Sequence, residues 1–187
     1  RSLTSTQFRG LTTSAIAAIT TTILSSLSVT QLSGLVATQV GALSADQIGA
    51  LTTTQVRALT VTQIGGLSAD QIESLTGVQL ASLSSTQITG LSTTAVAALT
   101  AGQLQALKAT QISGLSTAQI GQLSADSVAS LADTQIAALT STQVRGLTTS
   151  AIAALTTTEV AALTTTQLAG LSSVQLAALS AAPLSAL

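Results

Sequence analysis

Side-chain chemistry needs a nucleophile with a base beside it, paired carboxylates, or ligands for a metal, and these 187 residues offer almost none of them. His, Cys, Met, Tyr and Trp are all absent. Imidazole and thiolate ligands for zinc or haem iron are therefore missing, and the many Ser hydroxyls have no base to activate them. The acids are Asp46, Asp70, Glu73, Asp126, Asp133 and Glu159. Asp46, Asp70 and Asp126 stand 24 and 56 residues apart, too scattered for a general acid–base pair or a calcium loop. Asp70 and Glu73 are the one close acidic pair and read as a single solvated turn. The basic residues are Arg1, Arg9, Arg57, Lys108 and Arg145, giving a net charge of −1 with no basic patch for nucleic acid or an anionic membrane surface. No catalytic, cofactor-binding or metal-ligating residue is expected, no cofactor and no enzyme activity.

What must organise this chain is a repeat of eight. A Leu returns every eighth residue from Leu3 to Leu187, Ile19 being the one exception, and so strict a period marks a repeat architecture. The chain reads as one repeat-array domain over residues 1–187, with 23 octads filling residues 3–186. The octad Leu-Thr-Thr-Thr-Gln-Val-Arg-Ala that begins at Leu51 shows the pattern. Position 2 is Ser or Thr in 20 of 23 octads, the exceptions being Val36, Lys108 and Ala132. Position 5 is Gln in 16 octads and Glu159 in one more; position 6 is always apolar. Position 8 is Gly, Ala or Ser except at Gln122.

A continuous helix does not fit this pattern. At about 100° per residue, successive Leu residues would land about 80° apart and spray around the circumference. Neither does a continuous strand, because positions 1 and 6 would face opposite sides. Ser/Thr followed three residues later by Gln is instead a capping box, and the Leu before it with the apolar residue after it makes a hydrophobic staple. The N-cap needs extended dihedrals. Each octad should therefore be a short helix over positions 3 to 8 and a bend at positions 1 and 2. Each Leu serves two octads, lying three residues after position 6 of its own helix and stapling to position 6 of the next. As a cap, Gln55 is worth about 1 kcal/mol, less than the 2–5 kcal/mol expected for a buried Leu59.

One octad cannot stand alone, since helices this short do not survive in water by themselves. Stacking of successive coils must supply the remainder, which is the logic of a solenoid. The expected fold is all-α, a superhelical solenoid of eight-residue repeats. Glycine suggests the length of a coil: at position 8 it occupies Gly10, Gly34, Gly66, Gly90, Gly114, Gly146 and Gly170, always three or four octads apart. About 3.3 octads per superhelical turn reproduces all seven, a glycine then marking a line of close packing. Block duplication is the competing explanation, because residues 139–155 (LTSTQVRGLTTSAIAAL) nearly copy residues 3–19 (LTSTQFRGLTTSAIAAI).

Charged residues make up only 6% of the chain, yet the apolar fraction is ordinary, so the composition argues for order and against a disordered tail. No run approaches the roughly 18 apolar residues of a membrane helix. Arg1-Ser2 leads straight into the repeat with neither an initiating Met nor a signal peptide, and the chain reads as a piece of a longer array or a processed product. Gln gives way to Ala15 and Ile23 near the start, to Ala95, Ser127 and Ala151 further on, and to Pro183 near the finish. Asp46, Asp70 and Asp126 at position 4 should favour the positive ends of their helices. Arg9, Arg57 and Arg145 share position 7 and should point to solvent. Thr6, Thr22, Thr30, Thr38, Thr54 and Thr62 at position 4 set out regular hydroxyl and methyl rows, similar to the threonine ladders of ice-binding solenoids.

Two resemblances follow from the octad. Leu-Thr-x-x-Gln-Val-x-Ala-Leu, as in residues 51–59, resembles the opening helix of the DNA-binding repeats of TAL effectors. Those repeats are much longer and more basic and carry a base-reading loop, so DNA binding is not carried over. The tandem Leu-[Ser/Thr]-x-x-Gln-[Ile/Val] octads also resemble, along the whole chain, repeat tracts of very long bacterial surface or secreted proteins labelled as adhesins or haem-utilisation proteins. That resemblance implies a non-catalytic, rigid extracellular stalk or spacer at a bacterial cell surface. The alternatives are a Thr-row surface that binds ice or another surface, and a designed, self-assembling array. Expected partners are flanking repeats of the same array, with end-to-end self-association.

Overall fold

The computed structural model of the protein describes residues 3–179. Among them there are 22 α-helices of four to six residues, one to each octad, and no strand. The bends fall where the caps require them. In every described octad the position-2 residue is extended, as at Thr52 with φ −69° and ψ 156°, and the Leu that closes the helix Thr53–Ala58 is extended too, with φ −62° and ψ 137° at Leu59. Two consecutive extended residues turn the chain, and the next hydroxyl restarts a helix.

Capping is reciprocal. At the helix Thr53–Ala58, Gln55 N donates to Thr52 Oγ1 at 3.2 Å, and Thr52 N donates to Gln55 Oε1 at 2.8 Å. Val36, Lys108 and Ala132 carry no acceptor oxygen, so only half of the exchange remains there. Their backbone N–H groups still donate to Gln39, Gln111 and Gln135 Oε1 at 2.7–2.8 Å. The stranded third amide bonds instead to the N-cap carbonyl, as Gln135 N does to Ala132 O at 2.8 Å. The Gln half thus starts a helix without the hydroxyl, which explains why three octads tolerate its loss.

The chain divides into two compact units, Arg1–Ala98 and Leu99–Leu187. Each is a stack of coils with positions 1 and 6 inside. Position-6 side chains such as Ile48, Ile64, Ile112 and Ile136 are fully enclosed, and Leu51, Leu59 and Leu115 are only 3% exposed. Within each unit, helices pack on the third helix along. In the first unit Ser5–Arg9 meets Val29–Leu32, which meets Thr53–Ala58, which meets Gly77–Ser82; in the second, Thr117–Ile120 meets Ser141–Gly146, which meets Thr165–Gly170. A coil therefore closes after more than three octads and fewer than four, as the glycine rhythm predicts.

That rhythm is geometric as well as copied. A methyl group added to Gly66 would lie 2.7 Å from Ala37 O, and one added to Gly146 would run into Thr117 Cγ2 and lie 3.1 Å from Thr117 O. In both cases position 8 of one octad sits against position 3 of the octad three earlier. No described glycine has a positive φ, so the requirement is for space rather than for an unusual backbone. The expectation at Pro183 lies outside the described residues.

Candidate functional site

The chemistry of this molecule is concentrated in the column of position-5 glutamines, and it is bonding chemistry. Gln39, Gln47, Gln55, Gln63 and Gln71 are 2–6% exposed in the first unit, and Gln135, Gln143, Gln167 and Gln175 are 2–4% exposed in the second. Their buried amides need partners at both ends. The oxygen accepts the N-cap N–H of its own helix. The nitrogen reaches the preceding coil: Gln55 Nε2 donates to Leu24 O at 2.9 Å, Ser25 O at 3.2 Å and Leu27 O at 2.9 Å. Gln143 repeats this with Ile112 O at 2.9 Å and Leu115 O at 2.6 Å, and Gln175 with Val144, Arg145 and Leu147 O at 2.8–3.1 Å.

The acceptors are carbonyls at positions 6, 7 and 1, around a helix end, where carbonyls lack the usual partner four residues on; the position-6 carbonyl also accepts the next Leu N–H, as Leu24 O does from Leu27 N at 3.2 Å. One glutamine therefore caps the start of its own helix and the end of another, 28 to 31 residues back. Capping alone accounts for only the first half. The inter-coil half was hidden because sequence shows the donor but not which carbonyls the coil brings beneath it. Its only sequence signal is the preference for Gln over Glu, since an ordinary capping box accepts either.

Glu159 shows the difference. It is 3% exposed and keeps the cap, Oε2 accepting Thr156 N at 2.6 Å and Thr156 Oγ1 at 2.8 Å. A carboxylate has no N–H to donate, so nothing from this position reaches the coil before it. Glu159→Gln is expected to raise the unfolding free energy by about 1 kcal/mol, the net worth of one or two restored hydrogen bonds. Urea unfolding of the two proteins checks this, and an unchanged midpoint would mean that the glutamine nitrogen contributes nothing. Ala95 and Ala151 also take the glutamine position and are fully buried, whereas Ser127 is half-buried and its hydroxyl bonds to Ser124 of its own cap.

The remaining polar residues are not drawn together. Asp46, Asp70 and Asp126 lie exposed in the first turns of Ala45–Gly49, Ala69–Glu73 and Ala125–Ala129. There each carboxylate faces the positive helix end, a stabilising placement. Asp133 opens Asp133–Ala137 in the same way. Arg9, Arg57 and Arg145 are exposed in the last turns of theirs. Among the described residues no three acids come close enough to hold a metal, and no helix is long and apolar enough to cross a membrane. A shallow hollow of about 230 Å³ beside Arg9 is lined by neutral groups, among them Ser33, Thr60 and Thr62. Thr6, Thr22, Thr30, Thr38, Thr54 and Thr62 are all exposed.

The octad itself is what known proteins share. The model of the ALTTAQ repeat matches residues 48–77, 96–133 and 128–165, more than half of the chain. The chain belongs to the ALTTAQ repeat family. The six letters of that name run across the bend from position 8 to position 5, as in Ala50-Leu51-Thr52-Thr53-Thr54-Gln55. They spell the small residue, the shared core Leu, the N-cap hydroxyl and the glutamine that bonds two coils. No curated protein matches this ALTTAQ array.

Proposed function

We propose that this ALTTAQ array is a non-catalytic spacer, a rigid extracellular stalk within an adhesin-like bacterial surface protein. One observation carries the reading: the same two-ended glutamine bond recurs within both units, so side chains that could vary for recognition are spent on joining coil to coil. The exposed positions are mostly Ser, Thr and Ala, with a few isolated charges and scattered apolar side chains such as Val78 and Val174. Energetically such an array is a sum of coil and interface terms, and adding coils adds length without altering the ends. Small-angle scattering on arrays with added octads tests the spacer. The maximum dimension should rise linearly with octad number, and a dimension that plateaus would defeat it. Protease treatment of intact source cells tests the location: octad peptides should be released without lysis.

The exposure of every position-4 Thr named above favours a second reading, recognition of ice or another ordered surface by hydroxyl and methyl rows. An ice-recrystallisation assay separates the two. Activity lost on replacing exposed Thr by Lys would establish the surface reading, and silence would leave the spacer.

A further inference from the structure

The second unit contains one place where two neighbouring octads both lack the glutamine that joins coils. Ala151 and Glu159 stand at position 5 there, between Gln143 and Gln167, each of which bonds to the coil before it. Ala95 and Ser127 are single omissions with glutamine on either side. The paired omission recurs 17 octads earlier in the sequence, at Ala15 and Ile23, again between glutamines, Gln7 and Gln31. Residues 3–18 and 139–154 are identical except at Phe8, which accounts for Ala15 and Ala151, but Ile23 and Glu159 lie beyond the copied stretch and differ. What the two places share is the loss of the donor, not the residue that replaces it.

The loss leaves acceptors stranded. In the register that Gln143 keeps with Ile112 O and Leu115 O, Ala151 falls to Ile120 O and Leu123 O, and Glu159 to Val128 O and Leu131 O. Among the described residues nothing donates to the Leu123 or Leu131 carbonyl, whereas Leu115 O and Leu139 O each accept a glutamine at 2.6 Å. Ala151 also leaves its helix half a cap: Ala151 N donates to Thr148 Oγ1 at 3.1 Å, but no side-chain oxygen returns to Thr148 N. Apolar packing is what remains, with Ile152 and Val160 fully enclosed and Leu155 4% exposed. Such packing is non-directional. The helices Thr149–Ala153 and Thr157–Ala161, of five residues each, do not persist once lifted from it.

We infer that residues 147–162 form a joint in the second unit, a two-octad segment that lifts from the coil before it as one piece while the glutamine-bonded octads on both sides stay closed. Local openings of this kind occur where a fold is least bonded. Each missing hydrogen bond raises the open population about fivefold, and the two together about 30-fold, over a fully bonded pair of octads. In an array under tension or bending, strain is then relieved at the joint first. The joint follows from the bonds alone, so it stands or falls apart from the spacer reading, which length and location decide.

Hydrogen exchange of the intact chain, read amide by amide as protection, tests this. Ile152 N and Val160 N bond to Thr148 O and Thr156 O inside the joint, and Val144 N and Leu168 N make the same bond on either side of it. The two inner amides should be about 30-fold less protected than both outer ones. Glu159→Gln should raise protection of the inner pair about fivefold, and Glu159→Gln with Ala151→Gln about 30-fold, level with Val144 and Leu168. Glu159→Gln is nearly isosteric, so its result stands by itself. Leu168 exchanging as fast as Ile152 would mean that the chain frays inward from its end. Inner amides as protected as Val144, or unmoved by Glu159→Gln, would mean that the packing holds without the glutamines. Each of these outcomes overturns the joint.

Discussion

Replacing Gln55 with Ala is expected to lower the unfolding free energy by about 2–4 kcal/mol, as much as replacing Leu59, at about 2–5 kcal/mol. The cap alone would give about 1 kcal/mol. The larger figure arises because truncation strands groups at both ends of the side chain. Thr52 N loses its acceptor, and Leu27 O, at a bend, loses its donor. A buried polar group left unpaired costs about 1–3 kcal/mol. Gln55→Glu separates the two halves, keeping the cap and removing the donor, and should fall between Gln55→Ala and wild type. Because coils in a solenoid unfold as neighbours rather than as one block, hydrogen exchange at the Thr52 N–H and at the Leu27 N–H, which bonds to Leu24 O at the helix end that Gln55 holds, is the better measurement beside urea unfolding. Protection should drop at both sites. A drop at Thr52 alone would mean that the inter-coil bond is energetically empty.

Gly66→Val should cost about 1–3 kcal/mol, the usual range for forcing atoms into a packed site. The obstacle is backbone on both sides. Ala37 O lies 2.7 Å from where a Cβ would sit, and the Gly66 carbonyl in turn lies 2.8 Å from the Cβ position of Gly41. Side chains can rotate away from an intruder, but a carbonyl moves only with its helix. The matched control is Gly10→Val, expected within about 0.5 kcal/mol of wild type at low concentration, as for an ordinary surface change. Equal losses at the two sites would show that glycine at position 8 serves the helix end itself and not the stacking. Denaturant midpoints for the pair decide it.

Much of the local structure was legible because its causes are local. Thr52, Gln55 and the two flanking apolar residues lie within a few positions of each other, and their spacing names both the helix start and the bend. The glycine rhythm carried further, since close approach at Gly66 and Gly146 leaves a trace at a regular interval. The other end of each glutamine was not legible: Leu24 and Leu27 are 31 and 28 residues before Gln55, and their carbonyls look like any others until the coil is built. The tolerance of Val36, Lys108 and Ala132 was hidden for a related reason, the backbone itself supplying the missing acceptor. Position 7 points to solvent at Arg9, Arg57 and Arg145, yet a methyl group added at Gly41 or Gly121, also position 7, would lie 2.8 or 3.0 Å from a carbonyl of the octad three later.

The inter-coil glutamine bonds, as at Gln39, Gln55, Gln135 and Gln175, point backwards, from a residue to carbonyls 28 to 31 positions nearer the N-terminus. The direction gives the array an order of assembly. A chain emerging N-terminus first, from a ribosome or through a channel, presents each glutamine only after its acceptors are in place. At roughly 5–20 residues per second an octad takes about a second to emerge, while a helix forms within about a microsecond. Folding can therefore keep pace with emergence, one octad at a time, with no long segment waiting for a distant partner. Pulling force on a stalled nascent array should rise in steps eight residues apart; a single late rise would mean that the coils form together. Built this way, the molecule behaves as a ratchet, each octad locking the one made about four octads before it.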